Sequence, residues 1–145
     1  MSSENPTILL TEDNENDIFF FRRALLKAST NFPLQVAVDG REALDYLSGT
    51  GKFSDRAQYP IPSVVFLDLK LPYVHGLEVL KWIREQPSLK NLPVFILTSS
   101  SEDRDRQRAE ELGAKAYFVK PPTREMVLEA MQFLDEPVPQ PAALP

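Results

Sequence analysis

Five short apolar runs, separated by longer segments of helical period, constrain this chain more than any other feature. The runs are Ile8-Leu9-Leu10, Leu34 to Val38, Val64-Val65-Phe66-Leu67, Val94-Phe95-Ile96-Leu97 and Ala116 to Val119. They are nearly continuous rather than alternating, the pattern of strands covered on both faces in a parallel sheet. Amphipathic stretches follow them at about 15–29, 40–48, 75–86, 102–112 and 123–134. Strict strand–helix alternation predicts a doubly wound α/β sheet.

The punctuation agrees with these boundaries. Gly113, after Leu112, is read as the left-handed residue that closes a helix. Pro122 is read as a first helical residue, where the missing N–H does no harm. Gly49 to Pro62 is a 14-residue connection with two glycines and two prolines, expected to be functional or mobile. The segment 136–145 carries four prolines and no apolar period, an extended or disordered end.

Composition removes several classes of function. The 145 residues fit one domain, and the absence of cysteine excludes a disulfide framework, a thiolate zinc site and a thiol nucleophile. The net charge of −5 argues against nucleic-acid or anionic-membrane binding. The polar, acidic start is no secretory signal, and Tyr59 to Leu67 is too short to span a bilayer. A cytoplasmic protein is expected.

Ligands of open α/β sheets bind beyond the carboxyl ends of the strands. Glu12 and Asp13 follow the first strand, Asp68 the third, Thr98 and Ser99 the fourth, Lys120 and Pro121 the fifth. Three clustered carboxylates repel unless a hard cation sits among them, and magnesium takes oxygen ligands. A lysine and a hydroxyl opposite would hold the oxygens of a phosphoryl group, leaving Asp68 as a nucleophile toward phosphorus. Singly, each residue has a simpler reading: Asp13 or Asn14 as a helix cap, Thr98 and the serines after it likewise, Lys120 as a solvated charge. All four rim positions together are not explained by capping.

Glu12-Asp13, Phe66-Leu67-Asp68-Leu69-Lys70-Leu71-Pro72 with Gly76, Leu97-Thr98-Ser99, and Gly113-Ala114 leading to Tyr117-Phe118-Val119-Lys120-Pro121 resemble the receiver domain of two-component response regulators. The long third connection, Lys120-Pro121-Pro122 and the Glu-Asp-Asn opening are similar to stand-alone receivers that partner bacterial phytochrome kinases. The resemblance implies a (βα)5 flavodoxin-like three-layer sandwich of strand order 2-1-3-4-5. It places an extension at 1–6, the receiver at 7–134 and a proline-rich tail at 135–145. It makes Asp68 the phosphoacceptor, with Mg2+ (Mn2+ able to substitute) held by Glu12, Asp13, Asp68 and the Lys70 backbone carbonyl. Thr98, Lys120 and the aromatic switch Tyr117 would bind and report the phosphoryl group, beside a cis Lys120–Pro121 bond. Such a chain is a signalling protein rather than an enzyme. It would take phosphate from a sensor histidine kinase and act on an unknown downstream protein, with no residues left over for an output domain. A homodimer through the fourth helix, fifth strand and fifth helix is also implied.

His75, the only histidine, stands where the family often has aspartate. A loop histidine in a turn is the simpler reading than a phosphohistidine relay. In the first helix, Phe21, Ala24, Leu25 and Ala28 form the buried stripe, which turns Phe19 outward and leaves Phe20 between. Phe19, Phe20 and Arg22 are therefore candidates for kinase docking. An aspartyl-phosphate phosphatase needs an acid two residues after its nucleophile, and Lys70 stands there. A flavin or nucleotide site needs a phosphate-cradling loop after the first strand, where Glu12-Asp13-Asn14-Glu15 would repel phosphate.

Overall fold

Each apolar run becomes a strand and each amphipathic stretch a helix in a computed structural model that describes residues 6–135. The order is β1 (Ile8–Thr11), α1 (Glu15–Lys27), β2 (Leu34–Ala37), α2 (Gly40–Ser48), β3 (Val64–Leu67), α3 (Gly76–Glu85), β4 (Val94–Thr98), α4 (Asp103–Glu111), β5 (Ala116–Val119) and α5 (Arg124–Asp135). All pairings are parallel, in the order β2-β1-β3-β4-β5, so the strand order reverses at β1. All but residue 6 of the expected extension (1–6) and all but residue 135 of the expected tail (135–145) lie outside the described residues.

Side chains of alternate strand residues leave opposite faces of the sheet, and both faces are covered. Ile8, Leu10, Val64, Phe66, Phe95 and Leu97 pack under Phe21, Ala24 and Leu25 of α1 and Met126, Val127 and Ala130 of α5. Leu9, Val65, Leu67, Val94 and Ile96 pack under α2, α3 and α4. The expected α1 stripe is present, with Ala28 only half-buried. Among the described residues, no helix is long and apolar enough to cross a membrane.

Two local expectations are corrected. Val38 falls outside β2: it is 45% exposed, and its N–H donates to Glu42 Oε1 at 2.9 Å. Pro122 precedes α5 rather than opening it, because Thr123 Oγ1 accepts from the Met126 N–H at 3.1 Å and takes the capping position. The 49–62 connection before β3 carries local structure of its own. It contains a 3-10 turn at Gly51–Phe53; Tyr59 packs edge-on with Phe53 and with Tyr46 of α2, and Phe53 lies tilted against Tyr46. Arg56 donates to the carbonyls of Tyr46, Leu47 and Tyr59, closing the carboxyl end of α2. Gly113 has φ +89°, as expected, and its N–H and that of Ala114 donate to Glu110 O and Ala109 O.

Arg84 plays a similar part for α4. Its guanidinium donates to the carbonyls of Leu112 (3.2 Å), Lys90 (3.0 Å), Leu92 (2.8 Å) and Gly113 (2.7 Å). Arg84→Met keeps the apolar stem but strands these acceptors, those of Leu112 and Leu92 partly buried. The expected loss is about 2 kcal/mol, read as a lower urea midpoint with unchanged slope by Trp82 fluorescence.

Candidate functional site

Strand register gathers the rim. Thr11 is level with Leu67, so the residues that follow, Glu12 and Asp68, emerge side by side. Thr98 is level with Val119, which brings Lys120 in from the next strand pair. Thr11 also fixes the Asp68 backbone: its hydroxyl donates to Phe66 O at 3.2 Å, and the Asp68 N–H points at Thr11 Oγ1 and O, each 3.3 Å away. Nothing in the sequence singled out Thr11.

Lys120 Nζ is the centre of the cluster. It lies 2.8 Å from Glu12 Oε1, 2.8 Å from Asp17 Oδ2 and 2.7 Å from Asp68 Oδ2. One ammonium thus faces three carboxylates, with Asp13 beside them. Burial raises the Glu12 carboxyl to about 7; Lys120 pulls it down and neighbouring Asp68 pushes it up again. Burial alone would lower Lys120, but its hydrogen bonds to Asp17, Asp68 and Glu12 outweigh that and hold it above the usual lysine range. Asp17 is a second residue that the motif reading missed. Its only sequence signal is its place in the first turn of α1, one turn beyond Asp13.

Oxygens of Glu12, Asp13 and Asp68 all lie within 4.8 Å of one another. Asp13 is exposed and is not the helix cap; Asn14 is, accepting from the Asp17 N–H at 3.0 Å. The remaining Glu12 oxygen accepts from the Asn14 N–H at 3.1 Å, and Asp68 Oδ1 from the Lys70 N–H at 3.2 Å. The Lys70 side chain belongs to an exposed residue. Hard oxygen donors carrying more negative charge than one lysine offsets suit a divalent cation of the magnesium type.

Thr98 ends β4 fully buried. The Tyr117 hydroxyl donates to Ser100 O at 2.9 Å, while Ser100 Oγ donates to Asp105 Oδ2 at 2.6 Å. Arg106 covers the tyrosine ring at 4.6 Å. Tyr117 and Phe118 face opposite sides of edge strand β5. The Lys120–Pro121 bond is cis. His75 caps α3: its Nδ1 accepts from the Leu77 N–H at 3.1 Å, and its own N–H donates to Glu78 Oε1.

Phe19 and Phe20 are 55% and 44% exposed and pack edge-on with each other. Phe20, Arg23, Lys27, Pro121, Pro122 and Arg124 line a groove of about 530 Å³. Arg22 lies elsewhere, in a separate groove with Leu26 and Phe32. Phe20 thus shares its groove with Arg23, and Arg22 lines the other.

The sequence profile of the response regulator receiver domain matches residues 8–132. Response regulator Rcp1 of Synechocystis sp. is 35% identical over 123 residues, covering 83% of this chain and 82% of that protein. The structure of the bacteriophytochrome response regulator AtBRR superposes with a TM-score of 0.80 at 45% identity, over 91% of this chain and 94% of AtBRR. The Mn(2+)-bound form of Rcp1 superposes with a TM-score of 0.77 at 30% identity, over 92% and 96% of the two chains.

Proposed function

The chain belongs to the response regulator receiver family and is homologous to phytochrome response regulators, and on that premise we propose that it accepts a phosphoryl group on Asp68 from the phosphohistidine of a sensor histidine kinase. The observation that carries this reading is the Asp68 carboxylate, 5% exposed, 2.7 Å from Lys120 and within the same 4.8 Å cluster as Glu12 and Asp13. Glu12, Asp13, Asp68 and the Lys70 carbonyl would hold Mg2+ or Mn2+, as the Mn(2+)-bound Rcp1 relative supports. The ion would supply neutralising charge for the incoming phosphoryl oxygens.

The protein's own groups do the rest. An Asp68 oxygen forms the new P–O bond as the donor's P–N bond breaks, and the electron pair of that bond returns to the imidazole nitrogen. Lys120 shifts its attraction from the carboxylate to a phosphoryl oxygen and keeps Asp17 and Glu12 as partners. Thr98 supplies a hydroxyl to a second oxygen. Tyr117 then reports the change through its hold on Ser100, biasing the surface of α4, β5 and α5. Exposed Val119 and Phe133 on β5 and α5 support a homodimer through that surface, and Phe19 and Phe20 support kinase docking on α1. A kinase presents its phosphate in the cell interior, which fits a cytoplasmic protein.

Incubation with acetyl phosphate and Mg2+ is expected to add one phosphoryl group by intact-protein mass spectrometry. Asp68→Asn should abolish it, and EDTA should prevent it. Equal labelling of Asp68→Asn would overturn the assignment.

A further inference from the structure

Among the described residues, only Ser29 and Tyr73 have positive φ without being glycine. Tyr73, at φ +71°, is the bulky one, and bulky side chains rarely occupy this region. The Val74 N–H donates to Pro72 O at 2.8 Å, so Tyr73 is the central residue of a three-residue turn of the strained, positive-φ kind. Its ring does nothing for the core: Tyr73 is 80% exposed.

The surroundings hold this turn in place. Pro72 O also accepts the Gly40 N–H at 3.1 Å. Gly40 packs so tightly on the turn that a Cβ there would lie 2.6 Å from Val74 Cβ. The His75–Glu78 cap fixes the other side. Arg41 of α2 stands over the Tyr73 ring at 5.6 Å and makes no ion pair among the described residues. The fold thus presents an aromatic ring and a cation, rigidly, where glycine or asparagine would sit with less strain.

Tyr73 also lies near Asp68, on the loop between β3 and α3. The β3–α3 loop closes on itself, with the Gly76 N–H on Leu69 O at 2.8 Å. Gly76 abuts the Asp68 carbonyl oxygen, and three residues of chain put Tyr73 no more than about 11 Å from Gly76. A protein docked over Asp68 covers a patch of roughly 800 Å², about 16 Å in radius, and so reaches Tyr73. From the strained turn, the exposed ring and this position, we infer that Tyr73, backed by Arg41, is a contact for the protein phosphodonor and selects which donor is accepted. The chemistry fits a donor surface that offers an apolar side chain to the ring and a carboxylate to Arg41. This rests on the phosphoacceptor reading of Asp68.

Two phosphodonors test it. Acetyl phosphate reaches Asp68 without touching Tyr73. The phosphorylated histidine domain of a bacteriophytochrome kinase from which the wild-type chain accepts phosphate must cover it. Tyr73→Asn is expected to raise the melting temperature, leave acetyl phosphate labelling unchanged, and lower kcat/KM for the kinase domain by about tenfold, through KM. Tyr73→Phe should transfer like wild type. Undiminished transfer to Tyr73→Asn would overturn the inference, as would an equal loss with both donors. Failure of acetyl phosphate to label wild-type Asp68 would instead overturn the phosphoacceptor reading.

Discussion

Replacing Lys120 with alanine is expected to destabilise the fold by about 3 kcal/mol at neutral pH, and by more as the pH rises. The ammonium is the only cation within reach of Glu12, Asp17 and Asp68 among the described ion pairs. Removing it leaves like charges facing each other in a largely buried site. The pH dependence follows from Glu12. Its folded pKa of about 7 lies above the ordinary 4.5, so the folded chain keeps a proton that the unfolded chain has released. That contribution favours folding below 4.5 and is lost as the pH climbs through about 7. Without Lys120 the carboxyl titrates higher still, and the window of lost stability widens upward. Urea unfolding of Lys120→Ala at about pH 5 and about pH 8 should show the larger deficit at the higher value. Added Mg2+ should recover part of it, since a bound cation would replace the missing charge. A deficit that is the same at both pH values would contradict this account. Labelling by acetyl phosphate should also fall, because no ammonium remains to take the phosphoryl oxygen.

The second large effect is steric. A Cβ at Gly76 would collide with the Asp68 carbonyl oxygen and lie 2.7 Å from Leu69 Cα and 2.9 Å from Asp68 C. All of these are backbone atoms of the Asp68 segment, so no flexible side chain can yield. Gly76→Ala is expected to lower stability by about 3 kcal/mol. In the fraction that folds, displacement of Asp68 should slow labelling as well. A variant within about 1 kcal/mol of wild type, labelled at the normal rate, would show that the segment can relax.

The strands and the rim were legible because both depend on short-range pattern. Parity within a strand decides which face each side chain takes, and the residue after a strand has nowhere to go but the rim. Glu12, Asp13, Asp68 and Lys120 needed no more than that. Asp17 was not legible, since its contact with Lys120 depends on how α1 sits over the sheet and how far a lysine reaches. Thr11 looked like the last residue of a strand, and its bonds to Phe66 and Asp68 arise only from pairing with β3. In the 49–62 connection, its length, glycines and prolines suggested a functional or mobile loop. Phe53 and Tyr59 within it were the better signal, because apolar rings in a loop need a surface to cover. Pro122 misled for a similar reason: it suits the approach to a helix as well as its first turn, and the Thr123 hydroxyl decided between them.

Arg84 has a mechanical consequence. It clamps α3 and the 86–93 connection to the carboxyl end of α4, where Leu112 and Gly113 accept its hydrogen bonds. Along α4 itself only Ala109 is buried. Its amino end is held by the Ser100–Asp105 hydrogen bond and by whatever grips Ser100. The helix is thus pinned at Arg84 and held more lightly at Ser100, two residues beyond Thr98 on the Asp68 rim. If Asp68 is phosphorylated as proposed, a small shift at Ser100 would swing the charged outer face of α4 by rotation while the core beneath stays packed.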